Sequence, residues 1–110
     1  MRKQQRVTFG QVIAEARKNI PLTLREAAEH ILKEGGESIS FQYLSELEND
    51  RRNPPSGHLI EAIARAYKIS PAYLYLKAHR LPPDIDPRDA AIAEAALEAL
   101  RKELKPLIAA

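Results

Sequence analysis

From Thr8 onward apolar residues recur at every third or fourth position, and the pattern is cut at short intervals by Ser/Thr caps and by proline. That combination restricts the chain to a series of short amphipathic helices. Thr8 begins the first, in which Phe9, Val12, Ile13 and Ala16 fall at i, i+3, i+4 and i+7, and Asn19-Ile20-Pro21 ends it. Thr23-Leu24-Arg25-Glu26 is a capping box opening a second, Ala-rich helix with Ala27, Ala28 and Ile31 in its buried stripe. Ser40 caps a third helix that runs to about Asn49. Ser56 caps a fourth, whose stripe is Leu59, Ile60, Ile63, Ala64 and Tyr67, and Ser70-Pro71 opens a short fifth with Tyr73, Leu74 and Leu76. Few aromatics, scarce Gly and abundant Ala, Leu and Ile agree with an all-α fold.

The third helix has an odd phase. At about 100° per residue, Leu44, Leu47 and Glu48 point one way while Gln42, Glu46 and Asn49 point the other, with Ser45 at the edge. A carboxylate on the core face requires a partner. Arg17, one turn beyond Ile13 on the same flank of the first helix, is the candidate. Immediately after this helix, Arg51-Arg52-Asn53-Pro54-Pro55 cannot stay helical through the prolines and forms an exposed basic loop. Ahead of it the connection LKEGGESI is polar and contains Gly35-Gly36.

Leu81-Pro82-Pro83-Asp84 predicts an extended linker. The chain thus divides into one domain over residues 1–80, a linker over 81–86 and a last helix within 87–110 that runs to about Lys105. In it Ala90, Ala93, Leu97, Leu100, Leu104 and Leu107 alternate by threes and fours, which is heptad spacing. The segment is too short to hold a coiled coil alone. Two readings stay open: the helix folds back on its own domain, or Leu97, Leu100 and Leu104 meet a second copy or a partner.

Residues 1–83 hold 13 Lys/Arg against 9 Asp/Glu, and residues 84–110 hold 4 against 6. A mildly basic body with a mildly acidic tail suits polyanion binding, as it suits ordinary surface charge. No apolar run approaches the roughly 20 residues of a membrane span, and MRKQQRV lacks the apolar stretch of a signal peptide. A cytoplasmic location is therefore expected, and the lack of Cys, which leaves neither a disulfide framework nor a thiolate metal site, is consistent with it. His30, His58 and His79 lie on separate segments without ligand spacing, and no Gly-rich phosphate loop, Ser/His/Asp set or paired carboxylates stand out. No metal, cofactor or enzymatic activity is expected.

A helix with a polar, hydrogen-bonding outer face, preceded by a small helix and followed by two loop arginines, has the layout of a helix placed in a DNA major groove with flanking phosphate contacts. From Thr8 to about Arg80 the chain resembles the Cro-like (Xre) helix-turn-helix family of phage repressors and bacterial regulators. LTLREAAE matches the first motif helix, and SFQYLSELENDRRNP the recognition helix with its exit loop. Arg17, Ala27 and Ala28, YLSELEN, the Arg-Arg-Asn-Pro loop and KISPAYL carry the match.

The resemblance implies a five-helix, phage-repressor-like DNA-binding domain, here with an extra C-terminal helix, that acts on double-stranded DNA as a homodimer and regulates transcription, for instance as a repressor. It places base-reading positions on Phe41, Gln42 and Glu46, phosphate contacts on Ser40, Ser45, Asn49, Arg51 and Arg52, and a buried ion pair on Arg17 and Glu48. Gln42 can bond adenine with both ends of its amide or be merely solvated. Glu46 can accept from cytosine N4, repel phosphates or simply solubilise; Phe41 can meet a thymine methyl or close over the core; Tyr43 can bond a phosphate or pack. Two departures stand out: LKEGGESI is longer than the family's tight turn, and Leu24 stands where a phosphate-contacting Gln is frequent, leaving Arg25 or Thr23 to substitute. An antitoxin or adaptor that holds a partner protein through the terminal helix is the alternative reading.

Overall fold

The computed structural model describes residues 7–82, 84–85 and 89–109, except the side chains beyond Pro106. The basic start Met1–Arg6, the Asp86-Pro87 step and the Leu107 side chain lie outside the described residues. The elements are α1 (Phe9–Asn19), α2 (Leu24–His30), α3 (Phe41–Glu48), α4 (Gly57–Tyr67), α5 (Pro71–Ala78) and α6 (Ala90–Ala109). The fold is all-α.

Local chemistry sets the helix starts. Thr8 Oγ1 accepts from the Gln11 N–H at 3.0 Å while Gln11 Oε1 accepts from the Thr8 N–H at 2.9 Å, and Thr23 and Glu26 repeat this reciprocal box at α2. The bonds from Thr23, backbone first and then side chain, hold the Glu26 carboxyl below its ordinary range. Ser40 Oγ accepts from the Tyr43 N–H at 3.1 Å. Ser56 and Ser70 occupy the cap positions of α4 and α5 but make no side-chain cap bond.

The core is built from Phe9, Ile13 and Ala16 of α1, Ala27 and Ala28 of α2, Leu44 and Leu47 of α3, and the stripes of α4 and α5. α1 packs on α3, α4 and α5, while α2 packs on α3. In α5 the expected set of Tyr73, Leu74 and Leu76 is corrected. Leu74, Tyr75 and Ala78 are buried, and Tyr73 and Leu76 are exposed. The Tyr75 hydroxyl satisfies itself on Glu61 Oε2 at 2.9 Å, and burial, with that bond second, pushes its pKa up to about 12.

LKEGGESI is not a plain loop. Leu32 and Ser38 form an antiparallel bridge. The Lys33 N–H donates to Glu37 O at 2.7 Å and the Ile39 N–H to Ile31 O at 3.0 Å. Gly36 turns the chain at φ 95°, a left-handed conformation that favours glycine. This is a miniature β-hairpin rooted in the core by Ile31 and Ile39, both buried, with an exposed tip. Ile31, expected inside the second helix, is buried but extended, as the residue that ends α2.

Pro82 O accepts from the Ile85 N–H at 3.0 Å, so the expected extended linker contains a turn. α6 continues past Lys105 and takes in Pro106. Ala90 to Glu103 are all exposed, including Leu97 at 48% and Leu100 at 42%, and Leu104 is half-buried. The part of the apolar stripe from Ala90 to Leu100 is therefore not covered by the body.

Candidate nucleic-acid interface

α3 is fixed from its inner side. Leu44 and Leu47 are buried, and the Glu48 side chain beside them is only 7% exposed. Arg17 grips it with two prongs, Nε to Oε2 at 2.6 Å and Nη2 to Oε1 at 2.9 Å, and Nη1 donates to Leu22 O at 2.8 Å. The bond to Glu48 outweighs burial and raises the Arg17 pKa. Planar two-pronged pairing of this kind fixes orientation as well as distance.

The far end of α3 is fixed by two residues that sequence reasoning missed. Asp50 sits at φ 57° just past the helix. Its N–H donates to Leu47 O and the next N–H, of Arg51, to Glu46 O, which is a Schellman ending built without glycine. The Asp50 carboxylate then reaches α1, accepting from the Thr8 hydroxyl at 2.6 Å and from the Gly10 N–H at 3.0 Å. Gly10 permits the approach, since a Cβ there would stand 2.5 Å from Leu47 O and 2.6 Å from Glu48 O. A glycine in the first turn of an apolar helical pattern was the available signal for close packing.

The outer face carries the remaining residues. Gln42 is exposed. Phe41 is half-buried beneath Arg25, whose guanidinium carbon is 3.9 Å from the ring centroid, so the starts of α2 and α3 are joined. Arg52 Nε bonds Glu46 Oε1 at 2.8 Å and stands 5.3 Å from the Tyr43 ring centroid. Burial raises the Tyr43 hydroxyl above its ordinary range, against a smaller opposing effect of Arg52. Asn49 Nδ2 donates to Ser45 O at 2.8 Å. The Ser40 and Thr23 hydroxyls serve as helix caps. Arg51 is exposed, and Arg80 Nη2 pins the neighbouring loop through Pro54 O at 2.8 Å.

Gln42 on α3 and Asn49 at its end are thus exposed, with Arg25 lying on Phe41 and Arg52 on Glu46, whereas Leu97, Leu100 and Leu104 belong to α6. Among the described residues no cluster of His, Asp or Glu could hold a metal ion, and no helix is long and apolar enough to cross a membrane.

A family model described as Helix-turn-helix matches residues 13–74. Among solved structures the chain is similar to the clp gene regulator ClgR from Corynebacterium glutamicum, at 28% identity and a TM-score of 0.52, covering 88% of this chain and 86% of that one. A comparison with curated proteins returned no match. Since the matched stretch spans more than half of the sequence and holds α2, the hairpin and α3, the chain belongs to the helix-turn-helix family, whose motif is a DNA-binding unit.

Proposed function

We propose that the chain is a sequence-specific regulator of transcription that places α3 in the major groove of double-stranded DNA and works as a homodimer. The observation that carries this reading is the exposed polar face of α3, flanked by Arg25, Arg51 and Arg52 and held from behind by Arg17. The similarity to a protein described as a gene regulator supports it. Gln42, near the start of α3, is the principal base reader, with Phe41 and Glu46 beside it. Thr23, Arg25, Ser40, Tyr43, Ser45, Asn49, Arg51 and Arg52 meet phosphates, which position the protein without specifying sequence. Leu97, Leu100 and Leu104 pack against the same stripe of a second copy.

The exposed stripe of α6 equally favours a second reading, in which an adaptor or antitoxin presents Leu97 and Leu100 to a partner protein. Selection of bound DNA from a random pool, at stated salt, tests the first reading. A side-chain amide that bonds adenine with both ends gives roughly 1 to 3 kcal/mol of discrimination. Gln42→Ala should therefore flatten preference at one position per half-site while leaving the salt dependence unchanged. Equal profiles for wild type and variant would reject the base-reading role, and a monomer by light scattering would shift the assignment to the adaptor.

A further inference from the structure

The hairpin between α2 and α3 does more than lengthen a turn, because together with α4 it lines a cavity that opens to solvent. The cavity has a volume of about 530 Å³, within the range of roughly 300 to 1,000 Å³ usual for small-molecule sites. Leu32 and Ala62 supply apolar wall, and the ionisable groups around it are all basic: Lys33 from the hairpin, His58 and Arg65 from α4, His30 from the end of α2. No carboxylate lines it. Among the described residues neither Lys33 nor Arg65 is paired with an acid. His58 Nε2 lies 3.2 Å from Leu32 O, stitching α4 to the hairpin beside the cavity.

We propose that this cavity binds a small amphipathic anion, an oxyanion head on a short apolar body. The fork of Arg65 and the ammonium of Lys33 take the head, because a guanidinium matches the spaced oxygens of a carboxylate or phosphate. Leu32 and Ala62 cover the body. A cation meets only like charge here, and a neutral molecule forgoes the attraction of both cations. The occupant bridges the hairpin to α4, and the hairpin root at Ile39 directly precedes Ser40, the cap of α3. Occupancy therefore braces the start of that helix. Binding does not depend on the DNA reading and is measured without DNA.

The test is an NMR titration of the labelled full chain with octanoate, octyl phosphate, octanol and acetate. Saturable shifts at Leu32, Lys33, Ala62 and Arg65 are expected with octanoate or octyl phosphate, the tighter of the two naming the head group. Octanol and acetate should bind at least about tenfold more weakly, as loss of a charge-assisted contact or of the apolar body requires. Lys33→Glu and Arg65→Glu, both at exposed positions, should weaken the anion by about tenfold each while keeping the wild-type melting temperature. Absence of saturable shifts with both anions, octanol binding as tightly as octanoate, or undiminished affinity in both variants would overturn the proposal.

Discussion

Glu48→Ala removes the acceptor that holds α1 against α3, and its size follows from the bonds involved. The Arg17 side chain is 14% exposed, and three of its nitrogens are used, two on Glu48 and one on Leu22 O. The variant strips the first two and leaves the charge in place. Each hydrogen bond to a charged group is worth about 1.5 to 3 kcal/mol, so the pair amounts to about 3 to 6 kcal/mol. Water at the exposed edge and relaxation bring this to the roughly 3 to 5 kcal/mol typical of a broken buried pair. In a domain of this size that lowers the melting temperature by at least about 12 °C. Thermal unfolding followed by circular dichroism measures it. The variant Arg17→Met with Glu48→Leu, which removes both charges and refills the space, should lose less than Glu48→Ala alone, because much of the penalty is an unpaired guanidinium. An unchanged melt for Glu48→Ala, or a double variant that loses the sum of its single substitutions, would refute the reasoning.

Gly10→Ala should lower the urea midpoint, because its Cβ meets the backbone oxygens of Leu47 and Glu48, which cannot swing aside; overpacking of about 1 to 3 kcal/mol exceeds the gain of about 1 kcal/mol from helix propensity. Tyr67→Phe should leave stability unchanged or raise it by up to about 1 to 3 kcal/mol in the same assay, since the buried Tyr67 hydroxyl has no hydrogen-bond partner among the described residues; a clear loss contradicts this. The capping box of α2 should weaken in acid. The folded Glu26 carboxyl lies below its ordinary value of 4.5, so its contribution is complete above that pH and is lost as pH falls through the lower folded value. Glu26→Gln should abolish that part of the acid dependence of the melt.

What the sequence made legible is what local periodicity controls. The start of α2 could be read because Thr23 three residues ahead of Glu26 is a complete chemical unit, which Thr8 and Gln11 repeat unread at α1. The inward phase of Glu48 could be read because its neighbours Leu44 and Leu47 fix the face of α3. Ile31 escaped, because its spacing after Ala27 and Ala28 fits a last helical turn as well as the root of a hairpin, and only its bond with Ile39 decides. Asp50 escaped for a different reason. Its carboxylate acts on Thr8 and Gly10, and no local pattern encodes a contact across that span. In α5 eight residues give too few turns to fix a phase, so Tyr75 rather than Tyr73 took the core side. For α6, heptad spacing defines a stripe but not what covers it.

The strengths of the contacts around α3 divide in a way that suits the proposed role. Inside, Arg17 with Glu48 and the Gly10 N–H with Asp50 are partly buried, and hydrogen bonds to charged groups of this kind are worth about 1.5 to 3 kcal/mol. Outside, Arg52 with Glu46 is an exposed pair, and an exposed Arg25 lies over the half-buried Phe41 ring. Contacts of these kinds are worth about 0 to 1 kcal/mol each. In the proposed complex a phosphate can therefore draw Arg52 away from Glu46 at little cost and without shifting the helix. The exchange leaves Glu46 as a bare carboxylate facing the groove. A cytosine N4 donor within reach can satisfy it, whereas an acceptor edge such as guanine O6 opposes it. In that proposed complex Arg52 links general attraction to selectivity, since its move onto the backbone exposes the acid that disfavours the wrong base.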